Sequence, residues 1–206
     1  MQHAVGLSAI TFLMSAAFTG CAGNMPSAVQ EGVSTSPSTS PSSASAPMAV
    51  AVLVTPSGQR SGTATLRAVD GGVEVAIEAA GMQPGAHGLH IHANGACAPG
   101  PNASSGKTVD FGAAGGHFDP GAAQKHGGPG RAMHEAHAGE LPNLQVGADG
   151  RAVMRYVNSN VSLAAGPLSV LGRTLVVHAD PDDYATDPAG NSGARVLCGV
   201  IQMSPR

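Results

Sequence analysis

The chain alternates between apolar and polar positions in short runs separated by glycine, proline and acidic residues. Met48 to Thr55 (MAVAVLVT) is a continuous valine-rich apolar run. Gly62 to Val69 (GTATLRAV) and Val73 to Ala80 (VEVAIEAA) alternate with a period of two, and Asp70 to Gly72 (DGG) between them predicts a hairpin turn. Asn143 to Val146 and Arg151 to Val157 flank Gly147 to Gly150 (GADG) in the same way. His87 to His92 (HGLHIH), Thr174 to Ala179 (TLVVHA) and Arg195 to Met203 (RVLCGVIQM) complete a set of about eight short strands. No stretch shows convincing helical periodicity. An all-β fold is expected, an antiparallel sandwich or flattened barrel. Residues 93–142 and 180–194 do not fit strands. Loops of such length inside a domain are usually functional or disordered, and metal ligands would order them.

Upstream of Met48 the pattern changes. Val5 to Gly20 (VGLSAITFLMSAAFTG) is an apolar, small-residue stretch of signal-peptide type, followed directly by Cys21. The join resembles a bacterial lipoprotein signal, although Phe18 stands where leucine is usual and no Lys or Arg precedes the apolar stretch. It predicts a signal peptide over residues 1–20 and lipidation of Cys21; a simple secretory signal cleaved nearby is the alternative reading. Ser27 to Pro47 is dominated by Ser, Thr, Pro and Ala, so residues 21–47 are expected to be a disordered tether. Residues 48–206 remain for one domain with a sizeable core.

With 10 Lys and Arg against 13 Asp and Glu, the chain has no basic excess, which argues against nucleic acid as a partner. With Cys21 set aside, Cys97 and Cys198 remain. In an exported domain an even pair reads as one disulfide, although two unrelated buried thiols are the alternative. Such a bond would close a loop of about a hundred residues and stabilise by roughly 4 to 5 kcal/mol on the chain-entropy estimate.

Chemistry enters with histidine. The chain has nine, and eight of them lie in the domain: His87, His90, His92, His117, His126, His134, His137 and His178. On a strand, His90 and His92 share one face while Ile91 points to the other. Two imidazoles so placed are close enough to hold one metal ion. An isolated pair of this kind is equally consistent with an exposed polar face, but the other histidines favour metal. Imidazoles with the carboxylate of Glu140 form a zinc-like or copper-like donor set, and their number allows two ions.

The stretches GLHIH, GGHFDP, QKHGGP, HAGELPN, GRTLVVHADPDD and TDPAGNSGARVLCGVI occur in order over essentially the whole domain. Together they make the chain resemble copper/zinc superoxide dismutases of the exported bacterial type. The resemblance implies an eight-stranded antiparallel Greek-key sandwich with long metal-binding loops. It implies disproportionation of superoxide to dioxygen and hydrogen peroxide with one copper and one zinc per subunit. It assigns His90, His92, His117 and His178 to copper, and His117, His126, His137 and Glu140 to zinc, with His117 bridging as an imidazolate. Asp182 would accept hydrogen bonds from His90 and His126. Cys97 and Cys198 would form the disulfide, and Arg195 would be the guide arginine. Most relatives carry Asp where this chain has Glu140, so loop movement is expected to absorb one methylene.

His134 competes with His137 as a zinc ligand; His137 is preferred because it lies within HAGELPN. His87 is expected at the surface or behind a ligand. Lys107 and Lys125, the only lysines, both lie in the long loop and are expected to form a positive funnel with Arg195, or else to be solubilising charges. The resulting picture is extracytoplasmic and membrane-tethered, with monomer and homodimer both open. A non-catalytic copper or zinc storage module is the alternative function.

Overall fold

The computed structural model describes residues 48–102 and 105–205. The expected signal segment, Cys21 and the tether lie outside the described residues. Strands β1 (Met48–Val54), β2 (Arg60–Val69) and β3 (Gly72–Ala79) form an antiparallel meander. Their inner face buries Ala49, Ala51, Leu53, Ala64, Leu66, Val73, Val75 and Ile77. Although β1 is apolar throughout, only its alternate residues are buried, and Val52 remains 45% exposed.

The remaining strands are β4 (Gly85–His87), β5 (Leu89–His92), β6 (Gly100–Pro101), β7 (Thr108–Val109), β8 (Leu144–Val146), β9 (Ala152–Asn158), β10 (Thr174–His178), β11 (Arg195–Val200) and β12 (Gln202–Met203). The main antiparallel sheet has eight strands, in the order β5-β10-β11-β1-β2-β3-β9 with β12 also on β1. Leu89 and Ile91 from one end of the sheet share a hydrophobic cluster with Ala152 from the other. The sheet therefore curls around a single aliphatic core, as a flattened barrel does.

Some of the expected strands divide or pair differently. HGLHIH breaks at Gly88, so that β5 joins the main sheet while β4 pairs with β8. The turn at Gly147 to Gly150 does form, with Gly147 N–H donating to Arg151 O at 2.8 Å. Its flanks nevertheless separate: β9 fills the free edge of β3 along its whole length, and the three-residue β8 is left to β4. The last segment breaks at Ile201, whose N–H donates to Arg173 O.

All five residues of β10 are buried. Leu175 and Val177 belong to the main core, whereas Val176 packs on the opposite face with Phe111, Ala114 and Cys198. Cys97 is disulfide-bonded to Cys198 and ties the start of the long loop to β11. Further along, the loop is hydrogen-bonded to β5: Ile91 N–H donates to Gly139 O, and Phe118 N–H donates to Ile91 O. A side chain at Gly139 would collide with Ile91 O, so this close approach requires glycine.

Candidate metal centre

Strand alternation places Ile91 in the core and His90 and His92 on the opposite face, 0% and 1% exposed respectively. His178 ends the neighbouring β10, and the loop residue His117 forms an isolated antiparallel bridge with His92. The donor atoms of His90, His92, His117 and His178 all lie within 4.8 Å of one another. His92 Nε2 and His178 Nε2 are 3.3 Å apart, and the His90 and His117 rings stack at 3.9 Å.

A second buried group consists of His117, His126, His137 and Glu140. The Nδ1 atoms of the three histidines lie 3.1, 2.9 and 2.7 Å from Glu140 Oε1. Glu140 is itself bridge-paired with His90, so its backbone stays against β5. The side chain spans the distance, and its Oε2 comes to 3.6 Å from His90 Nε2. Behind both groups sits buried Asp182. Its Oδ2 accepts from His90 Nε2–H at 2.7 Å and its Oδ1 from His126 Nε2–H at 2.8 Å. A Cβ on Gly190 would collide with both Asp182 Oδ1 and His126 Nε2, and the residue has φ +63°, so glycine is required on both counts.

Among the described residues, three buried side-chain atoms have no hydrogen-bond partner: His90 Nδ1, His117 Nε2 and Glu140 Oε2. Buried polar atoms are normally satisfied, and an unpaired one costs about 1–3 kcal/mol. Two of the three are imidazole nitrogens of the first group, where ligation would satisfy them. Four nitrogens suit copper, and three nitrogens with a carboxylate oxygen suit zinc, so the residues present fit both ions.

Electrostatics separate the two groups. Burial lowers the pKa values of His90, His92 and His117. Burial and the neighbouring His117 lower that of His178 to about 3. Burial also opposes charge on His126, but the carboxylates of Asp182 and Glu140 outweigh it and raise its pKa to about 10. Burial likewise disfavours the Glu140 carboxylate, yet hydrogen bonds from His117, His126 and His137 hold it far below the usual carboxylate range.

Arg195 starts β11 beside this centre. Its guanidinium donates to Phe111 O and Gly115 O, each at 2.7 Å. Gly115 O lies 2.9 Å from His92 Nδ1 as well, so one carbonyl fixes both the arginine and a histidine of the first group. A cleft of about 290 Å³ is lined by His92, His117, His137, His178 and Arg195 together with Asp119 and Pro188. Lys107 and Lys125 are exposed and are not among its lining residues. His134 is exposed and belongs to no donor group among the described residues.

Of the two positions expected for His87, the surface is wrong and the place behind a donor residue is right: it is buried, with its ring nitrogens 2.8 Å from His178 O and Gln83 O. Sequence reasoning missed the role of Asn143, whose side chain hydrogen-bonds the main chain of Asp182. The available signal was its place in HAGELPN, three residues after Glu140.

The sequence profile described as copper/zinc superoxide dismutase matches residues 60–201. The chain belongs to the copper/zinc superoxide dismutase family. It is 49% identical over 156 residues to a superoxide dismutase [Cu-Zn] of Deinococcus radiodurans, covering 76% of this chain and 85% of that one. The solved structure of the Cu/Zn superoxide dismutase from Brucella abortus is 34% identical with a TM-score of 0.66, covering 75% of this chain and 99% of that one. A SOD-like protein from Bacillus subtilis is also similar, at 35% identity and TM-score 0.61, covering 73% of this chain and 95% of that one. With family membership come the enzyme class, superoxide disproportionation, and the metals, copper and zinc. The disulfide belongs to an oxidising compartment, so the protein is extracytoplasmic.

Proposed function

We propose that the two donor groups are the copper and zinc sites of a superoxide dismutase that acts at the cell envelope. His90 Nδ1, His92 Nε2, His117 Nε2 and His178 Nε2 would hold copper. The Nδ1 atoms of His117, His126 and His137 with the Glu140 carboxylate would hold zinc. The observation that carries this reading is the placement of His117: Nδ1 lies among the zinc donors while Nε2 is buried and unpaired among the copper donors.

When bound, copper supplies the one-electron oxidation and reduction of superoxide, and zinc a fixed positive charge behind His117. Two superoxide anions and two protons give one dioxygen and one hydrogen peroxide. Of those protons, His117 Nε2 can hold one whenever it is not ligated, and solvent in the cleft supplies the other. Arg195, held by two carbonyls, presents its charge to the anion entering the cleft. Lys107 and Lys125 act at longer range, through the field that draws an anion toward a chain of net charge −3. Asp182 fixes the ring orientation of one histidine from each group. Lipidation of Cys21 anchors the domain, and residues 21–47 hold it clear of the membrane.

The test is to load the full chain with copper and zinc and follow superoxide decay. Many turnovers per copper, and none with zinc alone, are expected. A single stoichiometric reaction without turnover would identify a storage module instead.

A further inference from the structure

Asp182 is held from behind by two residues with no place in either donor group. The Asn143 side chain makes a reciprocal pair with the Asp182 main chain: Asp182 N–H donates to Asn143 Oδ1 at 2.8 Å, and Asn143 Nδ2 donates to Asp182 O at 2.9 Å. An asparagine amide has the donor and acceptor of a peptide group, so this pair imitates a strand bridge between two loops. One loop carries Glu140 and the other carries Asp182. The Asn143 N–H in turn donates to Tyr184 Oη at 2.7 Å, and Tyr184 N–H donates to Asp182 Oδ1 at 2.7 Å. Tyr184 thus touches the same assembly from both of its ends.

Its backbone departs from the ordinary. Tyr184 has φ 58°, a left-handed conformation that is strained for an aromatic residue. Strain of this kind persists where the surroundings impose it and clusters at functional sites. Here the conformation lets the hydroxyl reach Asn143 while the N–H reaches the Asp182 carboxylate. Asp182 Oδ1 also accepts the His126 Nε2–H, and Oδ2 accepts the His90 Nε2–H.

We propose that Asn143 and Tyr184 are positioning residues, a clamp that fixes Asp182 and thereby holds His90 and His126 in register with each other. The proposal rests on the two-ion reading above. To the Asp182 bridge between the two groups it adds the two residues that hold that bridge in place. Loosening the clamp frees the Asp182 carboxylate to rotate, so both histidine N–H bonds weaken together although neither histidine touches the altered residue.

The experiment uses the full chain loaded with zinc and reduced copper, both diamagnetic. It follows solvent exchange of the His90 and His126 Nε2–H protons by nuclear magnetic resonance, and zinc release to a chelator. Failure of the unaltered chain to take up both ions would count against the two-ion reading and is seen before any variant is compared. Tyr184→Phe removes one hydroxyl and keeps the ring; Asn143→Ala removes the amide. In each, both protons are expected to exchange about tenfold faster, with zinc released about tenfold faster, as for loss of other outer partners of metal ligands. Asp183→Asn loosens the adjacent turn, where Asp183 Oδ1 accepts from Ala185 N–H and Thr186 N–H, but should move neither proton. Exchange unchanged in both clamp variants would overturn the proposal. Equal acceleration by Asp183→Asn would also overturn it, because the effect would then be general loosening of the loop.

Discussion

Zinc binding to the metal-free protein should expel a proton that copper binding does not. His126 lies between two carboxylates and has its pKa raised to about 10. At neutral pH it therefore carries a proton on each ring nitrogen, and its Nδ1 must lose one before it can ligate. A raised pKa means that the proton is bound throughout the range below about 10, so zinc competes with it across all of that range. Log apparent affinity for zinc should then rise by about one unit per pH unit between about pH 6 and pH 8. The copper donors behave oppositely. Burial lowers the pKa values of His90 and His92 well below the usual range and that of His178 to about 3, so these rings are neutral over the same range, and burial biases His117 the same way. Log apparent affinity for copper should be nearly flat. Calorimetric titrations with each metal alone, in buffers of different ionisation enthalpy, measure both slope and proton count. Zinc added after copper should release one further proton, because a bridging His117 must give up its last one. A flat zinc profile, or a copper slope equal to that of zinc, would refute the electrostatic separation of the two sites.

Gly190→Ala should drive a Cβ into Asp182 Oδ1 and His126 Nε2, and lower zinc affinity by about 10- to 100-fold in chelator competition; unchanged affinity would mean the loop yields freely. Glu140→Ala should lose zinc while copper is retained, and His134→Ala should lose neither metal; metal analysis showing the reverse pattern would require a zinc site rebuilt around His134. Arg195→Ala should retain both metals, slow turnover about tenfold or more, and flatten its dependence on ionic strength. A rate and salt dependence equal to those of the unaltered chain would remove Arg195 from anion capture.

The strands were legible because a half-buried strand writes its faces into the sequence with period two, as in β2 and β3. Their pairing was less legible. Nothing local in Leu144–Val146 says that it joins β4 rather than β9, since that choice depends on which edge β9 has already occupied. Histidines at strand spacing, as in HGLHIH, suggested a metal grip, but the grouping of His117 with two sets of partners is a fact of loop folding and came only from family resemblance. For His87 the choice between the surface and a place behind a ligand stayed open for the same reason: its partners are carbonyl oxygens, which every residue carries. Asn143 and Tyr184 escaped notice because they act on main-chain atoms and on another residue's carboxylate.

Glu140 shows how the two sites share one frame. Residue 140 is bridge-paired to His90 and its predecessor Gly139 is hydrogen-bonded to Ile91, which holds the backbone here against β5. From that backbone the Glu140 side chain reaches into the site. It carries Oε2 to 3.6 Å from His90 Nε2, the same nitrogen that donates to Asp182. Two carboxylates therefore flank His90 Nε2, and both also contact His126. Negative charge placed there holds the proton on His90 Nε2 and leaves Nδ1, the unpaired atom, as the free lone pair. In the two-ion assignment proposed above, the carboxylate that would complete the zinc group thus also favours the His90 tautomer whose Nδ1 would hold copper.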